Sequence, residues 1–299
     1  MLRSLFSAIS GLRANQTMLD VTGNNIANAN TAGFKSSNVV FQDTLSQMLT
    51  GAGAPTAALG ATTPARGGTN PIQVGLGVQV GAVTTNFNQG SAQVTGRATN
   101  LMVSGDGFFV VNRGNEPLYT RAGAFNFDSS GNLVTPDGDI VQGYKLDGTS
   151  TTTPAGATPT DITIAAITTD DPTKTGLDPK WGAMKSYSIG GDGVITGVFS
   201  DGSKHPLFKI ALANFANPEG LEKVGDTAFR ESTNSGTVQL GDPGSGRLGT
   251  LMSGSLEMSN VDLAQEFTNL IIAQRGFQAT SRVITTSDQV LEELVNIKR

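Results

Sequence analysis

Apolar residues recur at intervals of seven at both ends of this chain. Near the C terminus Leu263, Leu270, Phe277, Ile284 and Leu291 are evenly spaced in a stretch without proline, whose single glycine is Gly276. Near the N terminus Leu5, Leu12, Leu19 and Ile26 repeat the spacing, with Leu2 and Ile9 filling out the stripe. A strict seven-residue repeat specifies a helix whose apolar stripe stays in register with a partner helix over many turns. As a helix, 261–299 would be ~60 Å long at 1.5 Å per residue, and it cannot bury that stripe against itself. The two stripes therefore predict that the termini meet in one discontinuous helical coiled-coil domain, residues 1–35 with 258–299. Asp262 and Glu266 near the start of the second helix, and Lys298 and Arg299 at its end, follow the order that the helix dipole favours.

The outer face of the N-terminal helix is unusual. From Met1 to Asn30 its charged residues are Arg3, Arg13 and Asp20; elsewhere it carries Asn15, Gln16, Thr17, Asn24, Asn25, Asn28 and Asn30. A solvated helix normally displays charge opposite its apolar face. Amides and hydroxyls suit burial among other helices, where each polar group finds a partner. Two termini cannot enclose a helix on three sides, so further copies of the chain are expected to do so. The whole composition agrees: charged residues make up 15%, against ~25% in ordinary globular domains. Such a surface is expected to be covered by neighbours. With a net charge of −5 and no basic run, nucleic acid is not an expected partner.

Between the helices the pattern changes. Residues 36–73 are rich in Ser, Thr, Ala, Gly and Pro, and read as an extended, irregular linker; the apolar group Val39, Val40, Phe41, Leu45 and Leu49 within it suggests a short helix or a docking patch. From Val74 the period becomes two: Val74, Leu76, Val78, Val80 and Ala82 alternate with glycine and Gln79. Strand-like runs separated by Asp/Gly/Asn turns follow, including Phe108–Val111, Leu118–Phe127, Ile140–Leu146, Val194–Phe199 and Pro206–Phe215. They predict an antiparallel β domain over 74–146 and 183–257. Residues 147–182 read as a short insertion or rudimentary outer domain. The predicted fold class is mainly β, with paired terminal α-helices.

No set of residues assembles chemistry. Cysteine is absent, which excludes disulfides and thiolate ligands. His205 is the single histidine and reads as an exposed turn residue before Pro206. Gly75-Leu-Gly-Val-Gln-Val-Gly81 has the wrong spacing for a dinucleotide loop and no helix after it. Asp128, Asp137 and Asp139 lack the terminal glutamate of a calcium loop and read as turn residues. Asn15-Gln-Thr17 matches a glycosylation acceptor but lies inside a helix. Catalytic, cofactor and metal sites are therefore not expected. No apolar run approaches the ~18 residues that span a bilayer, and the amphipathic start does not read as a cleavable signal peptide.

Asn24-Asn25-Ile26-Ala27-Asn28 followed by Thr31-Ala32-Gly33-Phe34-Lys35 resembles the N-terminal signature of the bacterial flagellar axial proteins, the rod and hook subunits. Gln274-Arg275-Gly276-Phe277-Gln278, with Thr286-Ser287-Asp288-Gln289-Val290-Leu291, resembles the C-terminal signature of the same family. Within the family, Gly23–Asn28, Val74–Val78 and Gly254–Leu263 are more similar to the hook subunit than to the distal rod subunit. The resemblance implies a homopolymer: a tube lined by the terminal helices, with the β domain outside them and a central export channel. It implies as partners the rod and hook–filament junction proteins, the hook cap and the export apparatus. It also implies an extracellular place in the flagellum, reached without a cleavable signal peptide. A β-rich surface adhesin would share the Gly/Thr/Asn composition but would not predict paired terminal heptads.

Overall fold

The computed structural model describes residues 2–57, 64–154, 157–164 and 184–297. Among them the α-helices are two, α1 (Leu2–Ala27) and α2 (Leu263–Ile297), and every strand ladder is antiparallel. The fold is mainly β with paired terminal helices. The chain divides into two compact units, one made of 1–27, 37–85 and 262–299, the other of 28–36 and 86–261. The backbone thus passes between the units four times, at 27/28, 36/37, 85/86 and 261/262.

In the first unit α1 and α2 pack together as an antiparallel pair, and 37–85 forms a long two-stranded hairpin. Its rungs are Ser37–Asp43 with Val78–Thr85, Ser46–Thr50 with Ile72–Gly75, and Thr56–Ala57 with Pro64–Arg66. This differs from the expectation of an irregular linker at 36–73 and a β domain starting at 74. The Ala/Gly/Thr/Pro composition lowers intrinsic strand preference, but ladder bonds come from the backbone and are fixed by register with a partner strand. The short helix suggested at Val39–Leu49 is also strand; Val39 and Val40 are β-branched and fit the pleat. The hairpin docks on α1 at two points. The Asn25 side chain donates to Ser37 O at 2.8 Å and accepts from Ser37 N at 3.0 Å. Ser10 Oγ accepts from Val78 N at 3.2 Å. Gly77, at φ 140°, leaves no room for a Cβ against Ser10, which is why glycine precedes that strand.

The second unit is built on one large antiparallel sheet. Its main path runs Met184–Ile189, Val194–Phe199, Lys204–Ile210, Ile140–Lys145, Phe108–Arg113, Glu116–Thr120, Ala228–Arg230 and Glu222–Gly225. The central strand explains the packing. Phe108-Phe-Val-Val111 is apolar on both faces, as expected of a strand covered on both sides. Phe109 and Val111 enter one core cluster with Leu101, Phe125, Leu133 and Ile195. Phe108 and Val110 enter another with Tyr119, Phe215 and Phe229. The first hairpin closes through Gly114-Asn115 at φ 59° and 84°, the two-residue left-handed turn that matches strand twist.

The expected insertion at 147–182 falls largely on 155–156 and 165–183, outside the described residues. Within its described part, Thr160–Asp161 pairs with Ile140–Lys145, and Ile162 is fully buried. Two single-residue readings are corrected. His205 is half-buried within the strand Lys204–Ile210, where its Nδ1 is 2.9 Å from Gly148 O, so it is no exposed turn residue. Asp139 is a buried partner of Arg113, at 2.8 and 2.7 Å, rather than a turn residue bonded to its own backbone.

Candidate assembly interface

The helix pair is held by a seam of small and polar residues between two lines of larger ones. Three contacts fix its register. Asn25 Nδ2 donates to Glu266 Oε1 at 3.0 Å. A Cβ on Gly276 would lie 2.7 Å from Asn15 Oδ1, and one on Gly11 would lie 3.2 Å from Thr280 Cγ2. The same register puts Leu5 opposite Thr286. Ala8, Ala14, Thr22, Asn25 and Ala273 are the buried residues of the pair. Small residues at the contact bring helix axes toward the lower, ~8 Å, end of the usual separation. Gly276 therefore marks the closest approach, where a side chain would displace Asn15 from its bond to Gly11 O at 2.9 Å.

The heptad residues flank this seam. Leu5, Leu12, Leu19, Ile26, Leu270, Phe277, Ile284 and Leu291 are all half-buried, because one partner helix covers one side of each. Leu263 is 45% exposed. The sequence stripe includes it, but α1 ends at Ala27, opposite Ala264, and leaves it uncovered. The outward faces are apolar as well: Phe6, Phe267, Ile271 and Ile272 are each more than half exposed. The hairpin adds Leu45, Met48, Leu49 and Ile72, also more than half exposed. A two-stranded ribbon with both faces open is at best marginal alone. Apolar area on this scale marks a surface made for another protein. Burial raises the Glu266 carboxyl above its ordinary range, opposed by the hydrogen bond from Asn25.

The family-type motifs separate into seam, exterior and clamp. Asn25 is the seam residue, and Asn24, Gln274 and Arg275 are exposed. Asn28 accepts from Thr31 Oγ1 at 3.0 Å and closes the turn after α1. Gly33 takes φ 72°, and a Cβ there would strike the backbone of Ala122. Phe34 lies under Lys223, whose Nζ is 5.3 Å from the ring centroid.

Lys35 and Glu257 each lie in a motif quoted above, but no local pattern shows that they pair as a clamp. Lys35 and Glu257 form a 2.6 Å ion pair with both side chains fully buried. Lys35 also donates to Asn88 O at 2.8 Å. Glu257 Oε1 accepts from Gly90 N at 2.9 Å, and Oε2 lies 3.5 Å from Arg121 Nη1. One buried carboxylate thus faces two buried cations, and Arg121 Nε has no hydrogen-bond partner. Burial lowers Lys35 from its usual value; Glu257 opposes that shift and Arg121 adds to it. Beside the ion pair, Asn260 Oδ1 accepts from Ser36 N, and its Nδ2 donates to Asn86 O and Asn88 O. Ser36, Asn86 and Asn260 all stand next to points where the chain leaves this unit. The clamp gathers them side by side. Glu257 and Asn260 lie inside the Gly254–Leu263 stretch, but their partners are distant in sequence, so nothing local reveals the pairing.

Among the described residues, no group of three or more His, Cys, Asp or Glu is placed to hold a metal ion. Among the described residues, no helix is long and apolar enough to cross a membrane.

Three family models match the chain. "Flagella basal body rod protein" matches residues 5–35, "Flagellar hook protein FlgE/F/G D1 domain" matches 102–197, and "Flagellar basal body rod FlgEFG protein C-terminal" matches 252–297. The chain is 44% identical to the flagellar basal-body rod protein FlgG of Bacillus subtilis over 300 residues, covering all of both chains. It is 34% identical to the flagellar hook protein FlgE of Borreliella burgdorferi over 448 residues, again covering all of both. To the flagellar hook protein FlgE of Escherichia coli it is 30% identical over 421 residues, covering 97% of this chain and 99% of the other.

Proposed function

We propose a specific role for this chain, which belongs to the family of flagellar rod and hook proteins: it is the self-assembling subunit of the hook, the flexible tubular joint that passes motor torque from rod to filament. The observation that carries this reading is the outward face of the helix pair and its hairpin, apolar and open in the single chain. In the polymer, the residues read from the sequence as the assembly interface line the inner tube and pack against neighbouring copies. The low-charge faces of the β units of neighbouring copies slide past one another as the tube bends. The subunit reaches the cell exterior through the export apparatus. It joins the rod, the hook cap and the junction proteins at its two ends.

A second reading, the distal rod, is favoured by one observation. The rod-named relatives of Bacillus subtilis and Borreliella burgdorferi align over 300 and 302 residues, whereas the hook-named ones need 421 to 470. Electron microscopy of cells lacking this protein separates the two: a complete rod without a hook supports the hook, and a truncated rod overturns it. Polymerisation has its own test. Leu270→Asp with Ile284→Asp is expected to leave a folded β unit that forms no tubes; normal tubes from that variant would sink the interface.

A further inference from the structure

Within the β unit, the turn that follows α1 and the hairpin of Glu222–Gly225 with Ala228–Arg230 enclose a cleft of about 300 Å³. Phe34, Ala228 and Phe229 give it apolar walls, Thr31 and Thr227 add hydroxyls, and Lys223 sets an amine among them. Lys223 is an exposed residue, but its amine is turned back toward the fold. Its Nζ lies 5.3 Å from the Phe34 ring centroid and 3.4 Å from Lys35 O. Other lysines are placed differently. Lys35 and Lys209 are buried in ion pairs with Glu257 and Asp242, at 2.6 and 2.8 Å, out of reach of a reagent. Lys145, Lys185 and Lys204 are exposed. Lys223 combines access from solvent with an amine held against apolar surface.

We propose that Lys223 is a modification site of this chain, its ε-amine at the cleft being acylated by small acyl phosphates in preference to the exposed lysines. A lysine attacks only as the neutral amine, and burial beside apolar groups favours that form. Burial lowers Lys223 from its usual value. The face of Phe34 favours the ammonium and works against this, and the balance is downward. Asp226, the acid in the lining, is held by Arg113 at 3.1 Å, which blunts its repulsion of an anionic donor. The neutral nitrogen adds to the acyl carbon and forms the C–N bond. The C–O bond to phosphate breaks, phosphate leaves with the electron pair, and the nitrogen releases one proton to solvent. The product amide has lost the charge above Phe34. Its acyl group lies on the apolar wall, between the turn that leads to Lys35 and the hairpin, so the modification reaches the edge of the clamp.

The test uses the full-length chain in dilute solution and does not depend on polymerisation. The protein is treated with limiting acetyl phosphate at mildly alkaline pH, and each lysine is followed by peptide mass spectrometry. Lys223 is expected to be acetylated ~3-fold or more faster than each of Lys145, Lys185 and Lys204. Its rate should reach half of its plateau at lower pH than that of Lys185, and in urea the four rates should converge. Lys223→Arg keeps a cation over the ring; it should abolish the fast phase of acetyl uptake and leave the other three rates unchanged. Labelling of Lys223 no faster than those three in the folded chain overturns the proposal. So does a half-plateau at or above that of Lys185. A preference that survives in urea assigns the reactivity to local sequence instead of the cleft, and overturns it as well.

Discussion

Replacing Glu257 by Gln tests whether the clamp holds the β unit together. The change keeps the shape of the side chain and removes the carboxylate that pairs with both Lys35 and Arg121, which are 0% and 3% exposed at their side chains. Breaking a buried ion pair by removing one partner destabilises by about 3–5 kcal/mol, because the remaining charge stays buried. The Gln carbonyl can still accept from Gly90 N or Lys35, a bond that returns about 1 kcal/mol. The expected loss is therefore about 2–4 kcal/mol, against ~5–15 kcal/mol for a whole domain. Urea unfolding followed by near-ultraviolet circular dichroism of the buried Tyr119 and Tyr144 measures it. Lys35→Met added to Glu257→Gln removes one stranded cation and should recover at least about 1 kcal/mol. Lys35 also gives a pH signature. Its folded value lies below its unfolded one, so the unfolded chain holds the proton more tightly, and stability rises with pH between the lowered value and 10.5. In Glu257→Gln the main force opposing that lowering is gone, and the rise should begin at lower pH. A variant within about 1 kcal/mol of the unaltered protein, or a double variant weaker than the single, would refute the reasoning.

Three further outcomes are expected. Gly276→Ala places a methyl against Asn15 and should weaken tube assembly despite its better helix propensity, worth about 1 kcal/mol; Asn15→Ala in the same chain should restore it, as read by sedimentation of polymer. Thr227→Gly should stabilise the β unit by up to about 1 kcal/mol in the same urea titration, since Thr227 is β-branched at φ 56°. The burial that raises the Glu266 carboxyl gives the helix pair stability that is present below its unfolded value of 4.5 and lost as pH rises through the raised value. Glu266→Gln should flatten that dependence, measured by helix ellipticity against pH.

The legible parts of this fold are those whose signal is periodic and local. Leu5, Leu12, Leu19, Leu270, Phe277 and Ile284 announce the helix pair because a repeat of seven survives in the bare sequence. The second line of the seam, Ala8, Asn15, Thr22, Ala273 and Thr280, was not legible as such: the sequence assigns Asn15 and Asn25 to an outer face awaiting further copies, whereas the structure turns both toward α2, because small and polar residues mark close packing only once the helices are placed. Leu263 shows the converse: its spacing is right, but coverage depends on where α1 stops. The 37–85 hairpin was hidden by its composition, because its ladder lies in backbone bonds between segments with little intrinsic preference for strand. Lys35 and Glu257 meet across a separation of 222 residues, and no local pattern encodes such a meeting.

The four passages of the backbone between the two units have a mechanical consequence. A protein whose parts are joined by one linker puts the whole of any pull through a single strand of peptide bonds. Here four stretches of backbone join the two units, and three of them start from residues that Asn260 ties side by side. One nick, or one stretched segment, leaves the connection intact.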